Sequence, residues 1–183
     1  MAKFHYRDST RRWLFPQVGA RYLYSYRDPR DVVASMYRKA RIPVGDERRG
    51  VARTLAIART ELRGDAFWRT RRNLWVGRYE DFHADVPGLI RGLADFLDVE
   101  VTEADETRIL AAVSVDAQRQ RVLDLPAQGY DADLRITFNH ITDGRWGAFR
   151  QTLTPEECDQ IERSFAHWLV RYDYPIAPFP AAR

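Results

Sequence analysis

An aromatic, apolar run that ends abruptly on a charged turn constrains this chain more than any other feature. Arg21-Tyr-Leu-Tyr-Ser-Tyr26 has the composition of a strand buried in a sheet. It stops at Arg27-Asp-Pro-Arg-Asp31. Pro29 suits the first position of a helix, Asp28 is a good N-cap, and Asp31 puts a carboxylate in the first turn. A helix is therefore expected from there through Val32, Val33, Met36 and Tyr37. The order strand, tight turn, helix places Arg27 in front of a helix amino terminus, where free N–H groups and the helix dipole favour an anion. Ser35 lies one turn beyond Asp31 and can look back to the same end. An arginine fork with a hydroxyl is suited to a phosphate. The alternative is that Arg27 pairs with a neighbouring carboxylate and Ser35 merely packs.

The rest of the chain extends this pattern. A helical stretch covers about 47–63, and Asn73-Leu-Trp-Val-Gly-Arg-Tyr79 reads as a second strand ending at Glu80-Asp81. Pro87 begins a helix with Leu89, Ile90, Leu93, Ala94 and Leu97 on one face. Thr102 caps another, with Ile109, Leu110 and Val113 as its apolar positions. Thr154-Pro-Glu-Glu157 is a strong helix start, after which Cys158, Ile161, Phe165, Trp168 and Leu169 face the core. The tail from Tyr174 is expected to drape over the surface or fray. Strands separated by helices imply an α/β class with a parallel sheet flanked by helices, whose ligands collect at the carboxyl ends of the strands.

Length bounds the organisation: 183 residues make one domain, 1–183, with a real core. Apolar residues at 45% and charged residues at 30% exclude a disordered chain. A net charge of +3 suits an anionic ligand without demanding nucleic acid. Cys158 has no internal disulfide partner, no apolar run reaches membrane-span length, and Met1-Ala-Lys-Phe-His-Tyr-Arg7 has no signal-peptide core, so the cytoplasm is the default. Four scattered histidines and one cysteine offer no metal-ligand spacing, and no metal is expected. Of these, His83 reads as a surface loop residue and His167 as structural or solvated. Arg69, Arg71 and Arg72, near Trp68 and Trp75, read as a solvated helix face or as a grip on single-stranded nucleic acid, although no recognised module accompanies them.

Arg27-Asp-Pro-Arg-Asp-Val-Val-Ala-Ser35 resembles the 3'-phosphate-binding motif of sulfotransferases that use 3'-phosphoadenosine 5'-phosphosulfate (PAPS). That motif is commonly Arg-Asn-Pro-Lys-Asp, with a serine eight residues after the arginine. The resemblance implies a P-loop-NTPase-like sulfotransferase fold in which Arg27 and Ser35 grip the nucleotide 3'-phosphate. Lys3-Phe-His5-Tyr-Arg7 matches in spacing the family's Lys-Thr-His-Leu-Pro segment. His5 then inherits the role of catalytic base and Lys3 that of stabilising the transferring sulfuryl group; the alternative for His5 is a frayed terminal histidine. Arg78-Tyr-Glu-Asp81 resembles the segment whose tyrosine contacts the adenine end, so Tyr79 inherits that role. Val113-Ser-Val115 stands in place of a Thr-Ser-Phe segment, and Gly144-Arg-Trp146 with Phe149 and Leu153-Thr-Pro155 resembles the closing signature.

Two departures accompany the likeness. Asn139-His140-Ile141 replaces a basic Arg-Lys-Gly triplet, which weakens that side of the pocket unless Arg135 or Arg145 substitutes. Only Met1 and Ala2 precede Lys3, where the family has a strand, a phosphosulfate loop and a helix, and Gly19, Gly45 and Gly64 lack the Lys-Ser or Ser-Thr pair of such a loop. The expectation is an N-terminally truncated fold without the 5' site. By resemblance the function is transfer of a sulfuryl group from PAPS, as co-substrate, to a hydroxyl or amine of a small molecule or glycan. The alternatives are an inactive nucleotide-binding relative or one half of a two-chain enzyme, with an open sheet edge inviting self-association.

Overall fold

The computed structural model describes residues 18–39, 44, 46, 55–56, 59, 64–124, 130–131, 136–137 and 146–176. These fall into two compact units, one drawn from Met1–Arg78 and Gly147–Arg183, the other from Tyr79–Trp146.

In the first unit, β1 (Tyr22–Tyr26) leads through Arg27 and Asp28 into α1 (Pro29–Lys39). β2 (Leu74–Arg78) lies parallel to β1, in register from Tyr22 opposite Leu74 to Tyr26 opposite Arg78. The expected parallel α/β arrangement is thus present as a two-stranded sheet with helices. The strand read as buried in a sheet is covered on one face only. Tyr22, Tyr24 and Tyr26 are half-buried while Leu23 and Ser25 are exposed, the alternation of a sheet covered on one side.

Asp28 caps α1 as expected, its Oδ1 accepting the Arg30 amide at 2.8 Å. The buried face of α1, with Val33, Ala34 and Tyr37, packs on Phe149, Leu153, Ile161 and Leu169. Phe149, Ile161 and Leu169 belong to two further helices more than a hundred residues from α1, at Phe149–Thr152 and Pro155–Arg171, and Leu153 is the C-cap of the first of them. Each such side chain taken wholly out of water contributes about 1.5–3 kcal/mol. The longer helix starts as its sequence announces: Thr154 Oγ1 accepts the Glu157 amide and Glu157 Oε2 accepts the Thr154 amide, with Pro155 at the first position. Cys158, Ile161, Phe165 and Leu169 are buried. Tyr174 does not fray. It is 4% exposed and stacks on Trp168 with ring centroids 5.5 Å apart, because the aromatic surface of the helix end needs covering.

The second unit is mostly helical: α2 (Tyr79–Ala84), α3 (Val86–Leu97), α4 (Glu103–Val113) and α5 (Val115–Leu123), then a short antiparallel pair, β3 (Tyr130–Asp131) and β4 (Ile136–Thr137). Completing the first unit in chain order, the two helices named above are α6 (Phe149–Thr152) and α7 (Pro155–Arg171). In α3 the apolar face is as expected, with Ile90 and Ala94 buried, and Asp85 supplies the cap by accepting the Gly88 amide at 2.8 Å. Thr102 caps α4 with a reciprocal bond from Asp105. Val113, one of the apolar positions of α4, is 48% exposed. The chain leaves the helix one residue later at Ser114, which caps α5 instead.

Candidate functional site

The first-turn junction carries Arg27 and Ser35 on β1–α1 of the first unit, as the strand-to-helix pattern requires. Ser35 is half-buried, one turn along the helix from Asp31. The Arg27 side chain is 20% exposed, and its Nη2 lies 3.6 Å from Asp31 Oδ2. Asp31 is 1% exposed and accepts the amides of Gly147 at 2.5 Å and Phe149 at 2.9 Å. The carboxylate read from sequence as a complement to the dipole is therefore a tertiary link, joining the start of α1 to the chain entering α6.

Free amides at this helix start are fewer than the sequence suggested. Pro29 has no N–H, and that of Arg30 is donated to Asp28. Few backbone donors are therefore left at the first two positions of α1. Arg30 is not available to an anion either. Its Nε and Nη2 bond Asp28 at 3.0 and 2.7 Å, and its Nη1 reaches Glu162 Oε1 at 2.6 Å and the Pro175 carbonyl at 2.9 Å. It is 2% exposed and its guanidinium lies 4.5 Å from the Phe149 ring centre. Burial by itself lowers its pKa, but the bonds to Asp28 and Glu162 outweigh that and raise it, so the cation is permanent.

A second polar cluster lies under the sheet. Asp65, 4% exposed, accepts Arg69 Nε at 2.8 Å and the Tyr172 hydroxyl at 2.5 Å. Burial, followed by the charge of Asp65, pushes the Tyr24 hydroxyl well above its ordinary range, and Tyr172 is raised by burial and its bond to the same carboxylate. Arg69 turns inward, 5.4 Å from the Tyr26 ring and 4.7 Å from that of Tyr172. The basic cluster around it is thus partly structural, which removes Arg69 from any nucleic-acid face.

Tyr79 follows Arg78, the last residue of β2, and opens α2 rather than ending the strand. Within the second unit its ring meets those of Phe82 at 6.4 Å and His83 at 4.8 Å. His83 is exposed on α2, in a helix and not the expected loop, and His167 is exposed on α7. Val115 is half-buried at the start of α5. Lys3 and His5, Arg135, Asn139-His140-Ile141 and Arg145 lie outside the described residues. So the structure places Arg27 just before α1 and Ser35 midway along it, and pairs Arg27 with Asp31. Sequence reading missed the tertiary role of Asp31 and the inward turn of Arg30, since their partners stand 116–118 and 132–145 residues away.

Among the described residues no group of three His, Cys, Asp or Glu is placed to hold a metal ion, and no helix is long and apolar enough to cross a membrane.

A parallel strand pair with an arginine-bearing turn and a capped helix defines an α/β protein. The family model described as "Sulfotransferase domain" matches residues 2–173, and the chain belongs to that family. No curated protein matches it in sequence. Among solved structures it is similar to a mouse sulfotransferase, SULT7A1, complexed with PAP, at 16% identity and TM-score 0.58, covering 84% of this chain and 59% of that one. It is also similar to retinol dehydratase in complex with androsterone and inactive cofactor PAP, at 23% identity and TM-score 0.62, over 81% of this chain and 47% of that one. A retinol dehydratase complex with retinol and PAP gives 21% identity and TM-score 0.59 over the same shares. At these identities the likeness is one of fold. The chain spans about half to three fifths of the length of these structures.

Proposed function

We propose that the protein is a PAPS-dependent sulfotransferase that moves a sulfuryl group to a hydroxyl or amine of a small molecule or glycan. The observation that carries this is the β1–α1 turn with Arg27 at the end of the strand and Ser35 two turns on, in a chain of the sulfotransferase family. In this reading the Arg27 guanidinium and the Ser35 hydroxyl hold the nucleotide 3'-phosphate, and Tyr79 meets the adenine end. The solved relatives bound to PAP support that choice of nucleotide.

Sulfuryl transfer demands in-line geometry and charge stabilisation more than covalent help from the protein. The acceptor oxygen or nitrogen attacks sulfur as the bond to the 5'-phosphate oxygen breaks. His5 takes the acceptor proton, because an imidazole titrates near the working pH, and Lys3, two residues before it in sequence, offsets charge on the moving group.

Adenosine 3',5'-bisphosphate (PAP) should raise the melting temperature, as any ligand favouring the native state does. Arg27→Ala should abolish that shift, and an unchanged shift would take Arg27 out of the site. His5→Ala should keep the shift while removing turnover of PAPS with an acceptor.

A further inference from the structure

We infer that Asp31 is the positioning residue of the 3'-phosphate site: its buried carboxylate holds the Arg27 guanidinium and the Gly147–Phe149 backbone in one arrangement. This rests on the reading of Arg27 as the phosphate ligand. The carboxylate has three partners from two distant stretches of chain, with Arg27 Nη2 at 3.6 Å, the Gly147 amide at 2.5 Å and the Phe149 amide at 2.9 Å. At 1% exposure it has no water to exchange them for.

Two consequences follow from the chemistry of these partners. Arginine has five N–H donors in a planar fork, and the ion pair of its Nη2 with Asp31 draws that fork toward the first turn of α1. The two amides share the negative charge of Asp31, so that carboxylate is not given over to Arg27 alone. Gly147 fits this arrangement. Its φ is +74°, a conformation that favours glycine, and a Cβ there would meet Arg150 Nη1 at 2.9 Å. The turn that delivers the Gly147 amide to Asp31 is therefore built around that glycine.

The test is the ratio of affinities for PAP and for adenosine 5'-phosphate, which lacks the 3'-phosphate, measured calorimetrically on the whole chain. Asp31→Asn keeps the size but replaces one acceptor oxygen with an NH2 facing a donor. It should lower the preference for PAP about tenfold or more, leaving adenosine 5'-phosphate binding unchanged. A loss of general structural integrity lowers both affinities together, and that result, or an unchanged ratio, overturns the inference. Gly147→Ala disturbs only the amide side of the link and should lower the same ratio by a smaller factor; it decides the matter if Asp31→Asn does not fold, an unchanged ratio then counting against the inference. In the double variant with Arg27→Ala, Asp31→Asn should cause no further loss of preference, because it acts through Arg27. If Arg27→Ala itself leaves the ratio unchanged, the phosphate assignment fails. If Arg27→Ala collapses the ratio and Asp31→Asn does not, only the role of Asp31 fails.

Discussion

Residues 1–78 with 147–183 carry 23 lysines and arginines against 12 aspartates and glutamates, whereas residues 79–146 carry 6 against 14. The mild net charge of +3 therefore conceals a unit of +11 beside one of −8. The two units also use their charges differently. In the first, Arg30 with Asp28 and Glu162, and Asp65 with Arg69, are buried or partly buried pairings, of which Arg30–Glu162 ties α1 to α7. In the second, Arg108 with Asp105 and Arg119 with Asp116 are exposed pairs three residues apart on one helix. A buried charge without its partner is severely destabilising, while an exposed pair gains little over solvation by water. Among the described residues the buried ion pairs thus lie in the first unit, whereas those of the second, including Arg91 with Glu106 between α3 and α4, are more exposed. A basic unit also suits the proposed anionic donor, since summed charge steers a ligand from beyond contact range.

The contrast can be broken or sharpened by experiment. The largest effect concerns the closed core of the basic unit. Burial pushes the Cys158 thiol up to about 12 from an ordinary value of 9.0, so at pH 8 its thiolate population is lower by about three orders of magnitude. A thiol-reactive disulfide reagent should find no reactive sulfur in the native protein and one after denaturation. Fast native labelling would show that this core opens.

Next in size is Arg30→Met, which strands Asp28 and Glu162 and should cost about 3–5 kcal/mol in urea unfolding. The matching change in the acidic unit, Arg108→Ala, should cost no more than about 0.5 kcal/mol. Equal costs would erase the distinction between the two units. The capping boxes offer a finer comparison, as the same motif starts α7 and α4. Thr154→Ala should cost about 1–2 kcal/mol, with α7 seated on the core. Thr102→Ala should cost about 1 kcal/mol or less and speed amide exchange mainly within 103–113.

The smallest effect is one of pH. The Arg108 bond, followed by those from Thr102, holds the Asp105 carboxyl down at about 2 from an ordinary 3.8. Its folded value lies below its unfolded one, so its contribution is complete above pH 4 and is lost as pH falls toward 2. Carboxyl titration followed by NMR should show Asp105 moving up toward its ordinary value in Arg108→Ala. No movement would mean that the pair is not formed in solution.

Much of the local structure was legible in the chain. Pro29 after Asp28, Thr102 three residues before Asp105, and Thr154-Pro-Glu-Glu157 each start a helix where the capping rules place one. The readings that failed were those needing a distant neighbour. Tyr174 looked like the beginning of a loose tail because nothing near it in sequence shows that Trp168 lies ready to stack on it. Val113 shows the same limit, since helical spacing gives an apolar face but not what covers it, and the residue is exposed. The alternation of Tyr22, Tyr24 and Tyr26 was visible in the letters, yet the sheet's one-sided cover was not.

Of the candidate site, the sequence alone determined that an arginine ends a strand, that a capped helix follows, and that a serine lies two turns on. These are consequences of proline's fixed φ, of a short polar cap and of helical period, and all act within about ten residues. Only tertiary structure decided that Asp31 closes on the Gly147 and Phe149 amides while Arg30 turns inward to Glu162 and Pro175. Two nearly identical pairs, Arg27-Asp28 and Arg30-Asp31, divide their labour by which backbone and carboxylate groups the fold brings within hydrogen-bond reach. That is a property of packing, which no local rule contains.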